Sequence, residues 1–281
     1  MDIPGLEKII RNALAEDIGE GDITTLATVP GGVPGKGEFL VKQNGIIAGL
    51  EILEVLFKIA DPDLKFVKYT EDGSLVNYGQ VVARVTGKAV SMLTLERTAL
   101  NFLQRMSGIA TMTGAFVEMI KHTKVKILDT RKTVPGLRGI DKLAVKIGGG
   151  TNHRIGLYDM FLIKDNHIAV AGSITKAVQA CKKFKSRNNI SCKIEVETTN
   201  IEEVKEALNC IPDFIMLDNF QLDDMKKAVK LIYGKCLTEA SGGIDISTIK
   251  EVAETGVDFI SVGALTHSVK ALDISLEIKT D

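Results

Sequence analysis

Between Leu128 and His167 the chain reads LDTRKTVPGLRGIDKLAVKIGGGTNHRIGLYDMFLIKDNH. Seven cationic side chains, Arg131, Lys132, Arg138, Lys142, Lys146, Arg154 and Lys164, stand there against four acids, Asp129, Asp141, Asp159 and Asp165. His153 and His167, half of the chain's four histidines, add to the donors. Pro135-Gly136 and Gly148-Gly149-Gly150 break the backbone between them. Cations set beside forced turns, rather than spread over a helix face, can converge on one anion. The plain alternative is a solvated basic loop. The adjacent pairs Arg131-Lys132 and His153-Arg154, each next to a turn, favour an anion site.

Composition narrows what such a site serves. A formal net charge of −1 over 281 residues argues against a nucleic-acid surface, and the absence of Trp with 5% aromatics argues against base or sugar stacking platforms. Cys181, Cys192, Cys210 and Cys236 are scattered with no CxxC pair, so neither a zinc site nor a disulfide framework is expected and a reducing cytoplasm fits. No run of 18 apolar residues occurs, and Met1-Asp2-Ile3-Pro4 starts without a basic, apolar leader. A soluble, unprocessed protein away from membranes is expected.

The elements that must position these residues fall into two groups. Leu6, Ile9, Ile10, Ala13 and Leu14 predict a helix over 5–17, ended by Gly19 and Gly21. Residues 37–43 read as a strand, Asn44-Gly45 as a hairpin turn and Ile46–Ala48 as its return. A helix over 50–60 and strands over 64–69 and 81–85 complete a small α+β domain. A helix from Val90 to about Met106 follows, interrupted at Ser107-Gly108, with a second running to about His122. Arg97 and Arg105 on the first read by default as solvated or salt-bridged helical arginines.

From Val125 onward, six short apolar runs (125–128, 160–163, 193–196, 214–217, 237–239 and 259–262) alternate with amphipathic helices near 173–185, 201–209, 222–233 and 246–254. Asn200 with Glu203 has the spacing of a helix cap. Successive βα units predict a parallel sheet closing towards an open α/β barrel of about six or seven strands. A doubly wound open sheet is the alternative, although no GxGxxG follows the first strand.

Each run ends in polar groups or glycine: Asp129-Thr130-Arg131-Lys132, Lys164-Asp165, Glu197, Asp218-Asn219, Ser241-Gly242-Gly243 and Val262-Gly263-Ala264. The C-terminal ends of barrel strands share one face, where such folds hold their active sites. The two glycine ends let backbone amides approach a phosphate. Glu197 and Asp218 can accept from ribose hydroxyls, coordinate Mg2+ or balance a growing positive charge; an internal partnership with Lys164 is the structural alternative. Glu195 shares Glu197's side of an ideal strand, so either acid can be the contacting one. The ligand implied has a phosphate at one end, a hydroxylated middle and strongly anionic groups at the other.

The segments TRKTVPGLR, GGGTNHRIGLYDMFLIKDNH, EVE, LDNF, EASGGI and VGALTHS, in this order, with ERTALNFLQRMSGIAT at 96–111, resemble the nicotinate-nucleotide pyrophosphorylase (carboxylating) family, also called quinolinate phosphoribosyltransferases. The resemblance spans nearly the whole chain. It implies a phosphoribosyl transfer from phosphoribosyl pyrophosphate to quinolinate with Mg2+, giving nicotinate mononucleotide, pyrophosphate and CO2 in de novo NAD synthesis. It implies an N-terminal α+β sandwich domain, 1–107 with the returning tail 268–281, joined to a catalytic open barrel, 108–267. It also implies a homodimer in which Arg97 reaches the partner's site, with a higher oligomer of dimers left open. Arg131, His153 and Arg154 would then grip the quinolinate carboxylates. Thr130 would line the same site, and Lys132 and Lys164 would face carboxylate and pyrophosphate. Glu197 and Asp218 would hold the ribose and the metal-bound end, and Ser241, Gly242, Gly243, Val262, Gly263 and Ala264 the 5′-phosphate. Lys132, Lys164, Glu197 and Asp218 are the residues expected to carry catalysis. A relative acting on nicotinate without CO2 release, a barrel aldolase using Lys164 as a Schiff base and a non-catalytic nucleotide-binding module are the competing readings.

Overall fold

A computed structural model describes residues 3–280, so the reading of Met1 and Asp2 lies outside the described residues. The chain divides into two compact units, one of residues 1–114, 133–149 and 266–281, the other of 115–132 and 150–265. The division expected from the sequence, at 107 and 268, did not set 133–149 apart.

The first unit begins with α1 (Leu6–Ile18), α2 (Ile23–Thr28), β1 (Pro34–Val41), β2 (Gly45–Ile46), α3 (Leu50–Ala60), β3 (Lys65–Lys68), β4 (Leu75–Val76) and β5 (Val81–Lys88). Helix α4 (Ala89–Ile120) follows and ends in the second unit. Gly37, Phe39 and Val41 alternate inward along β1, as a half-buried strand requires. Leu50, Ile52, Leu53, Leu56 and Phe57 bury one face of α3. Phe39, Phe57 and Phe66, from β1, α3 and β3, meet with ring centroids 5.3 to 6.3 Å apart. The start of α3 is held by Asp72, whose Oδ1 accepts from the amides of Gly49 and Leu50, each at 2.9 Å.

Three expectations change here. Asn44-Gly45 does not turn β1 back on itself: β2 pairs with β4, and Asn44 Oδ1 instead accepts from the Tyr78 amide. The partners of β1 are β5 and β12 (Ile274–Lys279), which add strands of much greater sequence separation, and the C-terminal tail thus returns to this unit. Ser107-Gly108 does not interrupt α4. Ser107 is buried, its hydroxyl bonded to the backbone of Ala48, and a Cβ on Gly108 would run into the Lys270 carbonyl and lie 3.0 Å from Ala271 Cα. The glycine there admits a neighbouring backbone instead of ending the helix. Third, Arg138, Lys142 and Lys146 are not beside turns but on α5 (Arg138–Ile147), within the first unit. Asp141 on that helix is fully buried and takes both arms of Arg105 at 2.8 Å. This bidentate pair bears out the default reading of Arg105 and ties 133–149 to α4.

The second unit carries β6 (Lys126–Leu128), β7 (Phe161–Ile163), α6 (Asp165–Ala171), α7 (Ile174–Arg187), β8 (Ile194–Thr198), α8 (Ile201–Asn209), β9 (Phe214–Asp218), α9 (Leu222–Ile232), β10 (Leu237–Ser241), α10 (Ile249–Ala253) and β11 (Phe259–Ser261), with α11 (Ala264–His267) at its end. The six strands form one parallel sheet in the order β6-β11-β10-β9-β8-β7, an open barrel with β6 and β7 as its edges. All six apolar runs are strands of it. Asn200 caps α8 by accepting from the Glu203 amide at 2.9 Å. Among the described residues no helix is long and apolar enough to cross a membrane.

Replacing Arg105 with Met would strand a buried carboxylate. The expected cost is about 3 kcal/mol or more, read as a lower urea midpoint at unchanged slope; an Asp141→Asn, Arg105→Met double variant should recover part of it.

Candidate active site

In a parallel pair, residues in register point to the same face. The registers set Leu162 beside Glu195, Glu197 beside Met216, Asp218 beside Ser241, and Glu239 beside both Met216 and Phe259. One sheet face therefore carries Glu195 and Glu197 from β8, Asp218 from β9, and Glu239 and Ser241 from β10. Lys164, two residues beyond Leu162, continues the set. The polar ends of β7, β8, β9 and β10 recognised in the sequence share both a rim and a face.

Lys164 lies at the end of β7 with about half of its side chain exposed, and its Nζ is 3.2 Å from Glu197 Oε2. The internal partnership considered for Glu197 is thus present at the mouth. Asp218 is half-buried and accepts from Asn219 Nδ2 at 2.7 Å. His167, counted as a donor in the sequence, accepts the Lys164 amide at its Nδ1 and caps α6. Glu195 and Glu197 differ in depth: Glu197 keeps 12% of its side chain exposed, Glu195 none.

After β6 the chain passes through Thr130, Arg131 and Lys132, and Thr130 Oγ1 accepts the Lys132 amide at 3.1 Å. Asp129, fully buried, holds the 150–154 loop against that edge. Its carboxylate accepts from the His153 amide at 2.9 Å and from Asn152 Nδ2, while Thr151 bridges to Leu128. Arg154 is 8% exposed and donates from Nη1 to the Met160 carbonyl at 3.1 Å. Its pKa is lowered by burial and next by the charge of Arg131, so the two guanidiniums are near enough to repel. Arg131 Nε is buried with no hydrogen-bond partner. A half-buried and a nearly buried guanidinium whose charges bear on one another have the chemistry to receive a carboxylate.

His153 behaves differently from its neighbours. Its Nε2 is 2.9 Å from Glu195 Oε2 and 3.3 Å from Glu239 Oε2, and Glu239 is 1% exposed. Its Nδ1 accepts the Arg154 amide at 2.8 Å. Burial pulls the imidazole's pKa down, but hydrogen bonds and charge from the two glutamates outweigh it and raise it to about 10. Burial and then the charge of Glu239 push Glu195 up to about 7, against the hydrogen bond from His153. These values belong to the His153–Glu195–Glu239 cluster as a whole: a doubly protonated ring would point an Nδ1–H at the Arg154 N–H, whose nitrogen lies 2.8 Å away, so the ring's single proton is placed on Nε2 and the further proton among the carboxylates. Sequence reading missed Glu239. Its signal was parity, two residues before Ser241 on the same strand.

The glycine ends are built as tight turns. Gly242 and Gly243 have φ +95° and +60°. A Cβ at Gly242 would lie 2.8 Å from the Asn219 amide and closer still to that side chain's oxygen. The Asn219 amide donates to Ser241 O, joining the ends of β9 and β10. Val262 donates its amide to Leu128 O, and Gly263 and Ala264 follow at the start of α11. Arg97 is exposed on α4, in the first unit. All other residues singled out for the site lie in the second unit, at or beyond its strand ends.

Residues 22–107 match the family described as quinolinate phosphoribosyl transferase, N-terminal domain, and residues 109–277 match its C-terminal domain. A chloroplastic nicotinate-nucleotide pyrophosphorylase [carboxylating] from Oryza sativa subsp. japonica is 48% identical, the match covering 98% of this chain and 78% of that protein. A probable nicotinate-nucleotide pyrophosphorylase [carboxylating] from Bacillus subtilis is 43% identical over 97% of this chain and 93% of its own length. The solved nicotinate-nucleotide pyrophosphorylase of Francisella tularensis superposes with a TM-score of 0.94 at 41% identity, over 99% of this chain and 98% of that one.

Gly242→Ala should fold, at a strain cost of about 1–3 kcal/mol. It should weaken binding of a phosphorylated ligand roughly tenfold or more, measured by calorimetry with 5-phosphoribosyl compounds.

Proposed function

This chain belongs to the quinolinate phosphoribosyl transferase family, and from that membership we propose how the mouth of its barrel is used. The chain carries out the family's reaction: it transfers the phosphoribosyl group of phosphoribosyl pyrophosphate to quinolinate, giving nicotinate mononucleotide, pyrophosphate and CO2 in de novo NAD synthesis. The observation that supports the assignment of roles is the shared rim and face of Lys164, Glu197 and Asp218, with Lys164 Nζ 3.2 Å from Glu197, beside an edge that carries Arg131, Lys132 and Arg154.

Arg131 and Arg154 bind the quinolinate carboxylates, with Thr130 and His153 shaping the same wall. Ser241 to Gly243 and Val262 to Ala264 bind the 5′-phosphate through backbone amides. Glu197 and Asp218 accept from the ribose hydroxyls and stand near C1, where positive charge grows as pyrophosphate departs. Lys132 and Lys164 stabilise the departing oxygens. The pyridine nitrogen attacks C1 and becomes formally positive. The bond from ring C2 to its carboxylate then breaks, its electron pair stays on C2 stabilised by the adjacent positive nitrogen, CO2 leaves, and C2 takes up one proton from solvent. No protein base is needed for that step, and the chain contributes mainly position and charge.

Glu197 and Asp218 offer hard oxygen ligands at a half-exposed mouth, which suits Mg2+. Glu197 and Asp218 would hold the ion, which would supply charge neutralisation for the leaving group. Lys164 is exposed and ion-paired rather than enclosed in an apolar pocket, which disfavours the Schiff-base reading. Arg97, exposed on α4, completes the carboxylate site of a second copy, so the working unit is a homodimer. Four free cysteines fit a reducing cytoplasm.

Incubation with carboxyl-labelled quinolinate, phosphoribosyl pyrophosphate and Mg2+ should release labelled CO2 and form nicotinate mononucleotide. Product from nicotinate without CO2 would instead identify a relative of different specificity. Lys132→Ala should lower kcat by about 100-fold or more with the fold intact by circular dichroism; near-normal turnover would refute its role. Arg97→Ala and Lys132→Ala proteins, each nearly inactive alone, should recover about a quarter of wild-type activity after subunit exchange, since half the dimers then hold one intact site. No recovery would remove Arg97 from the partner's site.

A further inference from the structure

Beneath the cationic lining lie two acids that the reaction does not use. Glu195 and Glu239 come from β8 and β10, with β9 between them, and both are essentially removed from solvent. Glu195 Oε1 and both oxygens of Glu239 are buried with no hydrogen-bond partner, although Glu239 Oε2 approaches His153 Nε2 at 3.3 Å. Two carboxylates at such depth carry a heavy desolvation cost, so their presence calls for a purpose.

A metal site is the first possibility, because ligand atoms of His153, Glu195 and Glu239 all lie within 4.8 Å of one another. The ring geometry speaks against it. A cation on Nε2 would leave the imidazole's proton on Nδ1, and the Arg154 N–H already points at Nδ1 from 2.8 Å. Two hydrogens would then face each other. The arrangement requires a proton on Nε2, donated towards the glutamates, and a lone pair on Nδ1.

We propose that Glu195 and Glu239 are positioning residues for the carboxylate-binding wall, fixing the His153 ring so that it sets the His153–Arg154 peptide and aims the Arg154 side chain. The chain of contacts is continuous. Glu195 accepts from Nε2 of His153, and the opposite ring nitrogen accepts the next residue's amide. Asp129 holds the His153 amide from the other side at 2.9 Å. The backbone that carries Arg154 is thus clamped between the end of β6 and the interior of β8 and β10. A loop with glycines at 148–150 and 156 would otherwise leave a guanidinium poorly placed. The ring of His153 then orients the wall from behind, and Arg154 makes the contact with substrate.

This rests on the quinolinate reading of the site, and the experiment separates the two. The His153 tautomer is read first, by 15N NMR of the protein labelled at histidine and without substrate, with a His153→Asn variant to assign the signal. The expected form carries its proton on Nε2; an Nδ1-protonated or doubly protonated ring in the wild-type protein overturns the proposal. Steady-state kinetics follow on Glu195→Gln, which keeps an acceptor, on Glu195→Leu, which does not, and on Glu239→Gln. Glu195→Leu should raise KM for quinolinate roughly tenfold or more while KM for phosphoribosyl pyrophosphate changes less than about twofold, and Glu195→Gln should recover most of the loss. Glu239→Gln should shift the same KM in the same direction. Equal shifts in both KM values, or none, overturn the proposal. If Glu195→Leu does not fold, Glu239→Gln and the tautomer still decide. A wild-type protein that released no CO2 from quinolinate would defeat the functional reading, and the NMR result would stand by itself.

Discussion

The site depends on the register of a parallel sheet. Parallel pairing sends every strand's C-terminal end to one rim, and in-register neighbours share a face. The pairs Asp218–Ser241 and Leu162–Glu195 bring side chains from segments dozens of residues apart onto that face. A one-residue slip of β8 would turn Glu195 and Glu197 outward and put Val196 in their place, so the register fixes which chemistry the mouth presents.

Within that frame, charge is arranged by depth. Asp129, Glu195 and Glu239 are buried below, while Arg131, Lys132 and Lys164 stand nearer the mouth and Arg154 lies between. The charge of Arg131 bears on Arg154 along the same edge, and the folded protein bears the cost of that repulsion. Burial makes this arrangement strong and also makes it depend on hydrogen bonds that keep each group in one orientation.

Much of this was legible in the chain. The six apolar runs are the six strands, and their polar ends are the rim. Asn200 caps α8, and the helix over 50–60 has the bounds of α3. These features follow from local periodicity and capping. Others were not legible. Asn44-Gly45 has the composition of a hairpin, yet β1 finds β5 and β12, because long-range pairing decides a strand's partners. Gly108 resembles a helix break because the sequence does not show the Lys270 backbone that needs the space. Arg138, Lys142 and Lys146 read as cations beside turns, whereas they belong to α5, whose Asp141 pairs with Arg105.

Residue type, spacing and motif order determined the class of fold, the rim and the kind of ligand, because periodicity and strand-end chemistry are written locally. Tertiary structure alone decided how deep each of two same-facing glutamates lies, that Glu239 joins His153, and that the Arg154 amide meets the ring's other nitrogen. Depth and contact are set by atoms that arrive from other strands, and no window of the sequence contains them together.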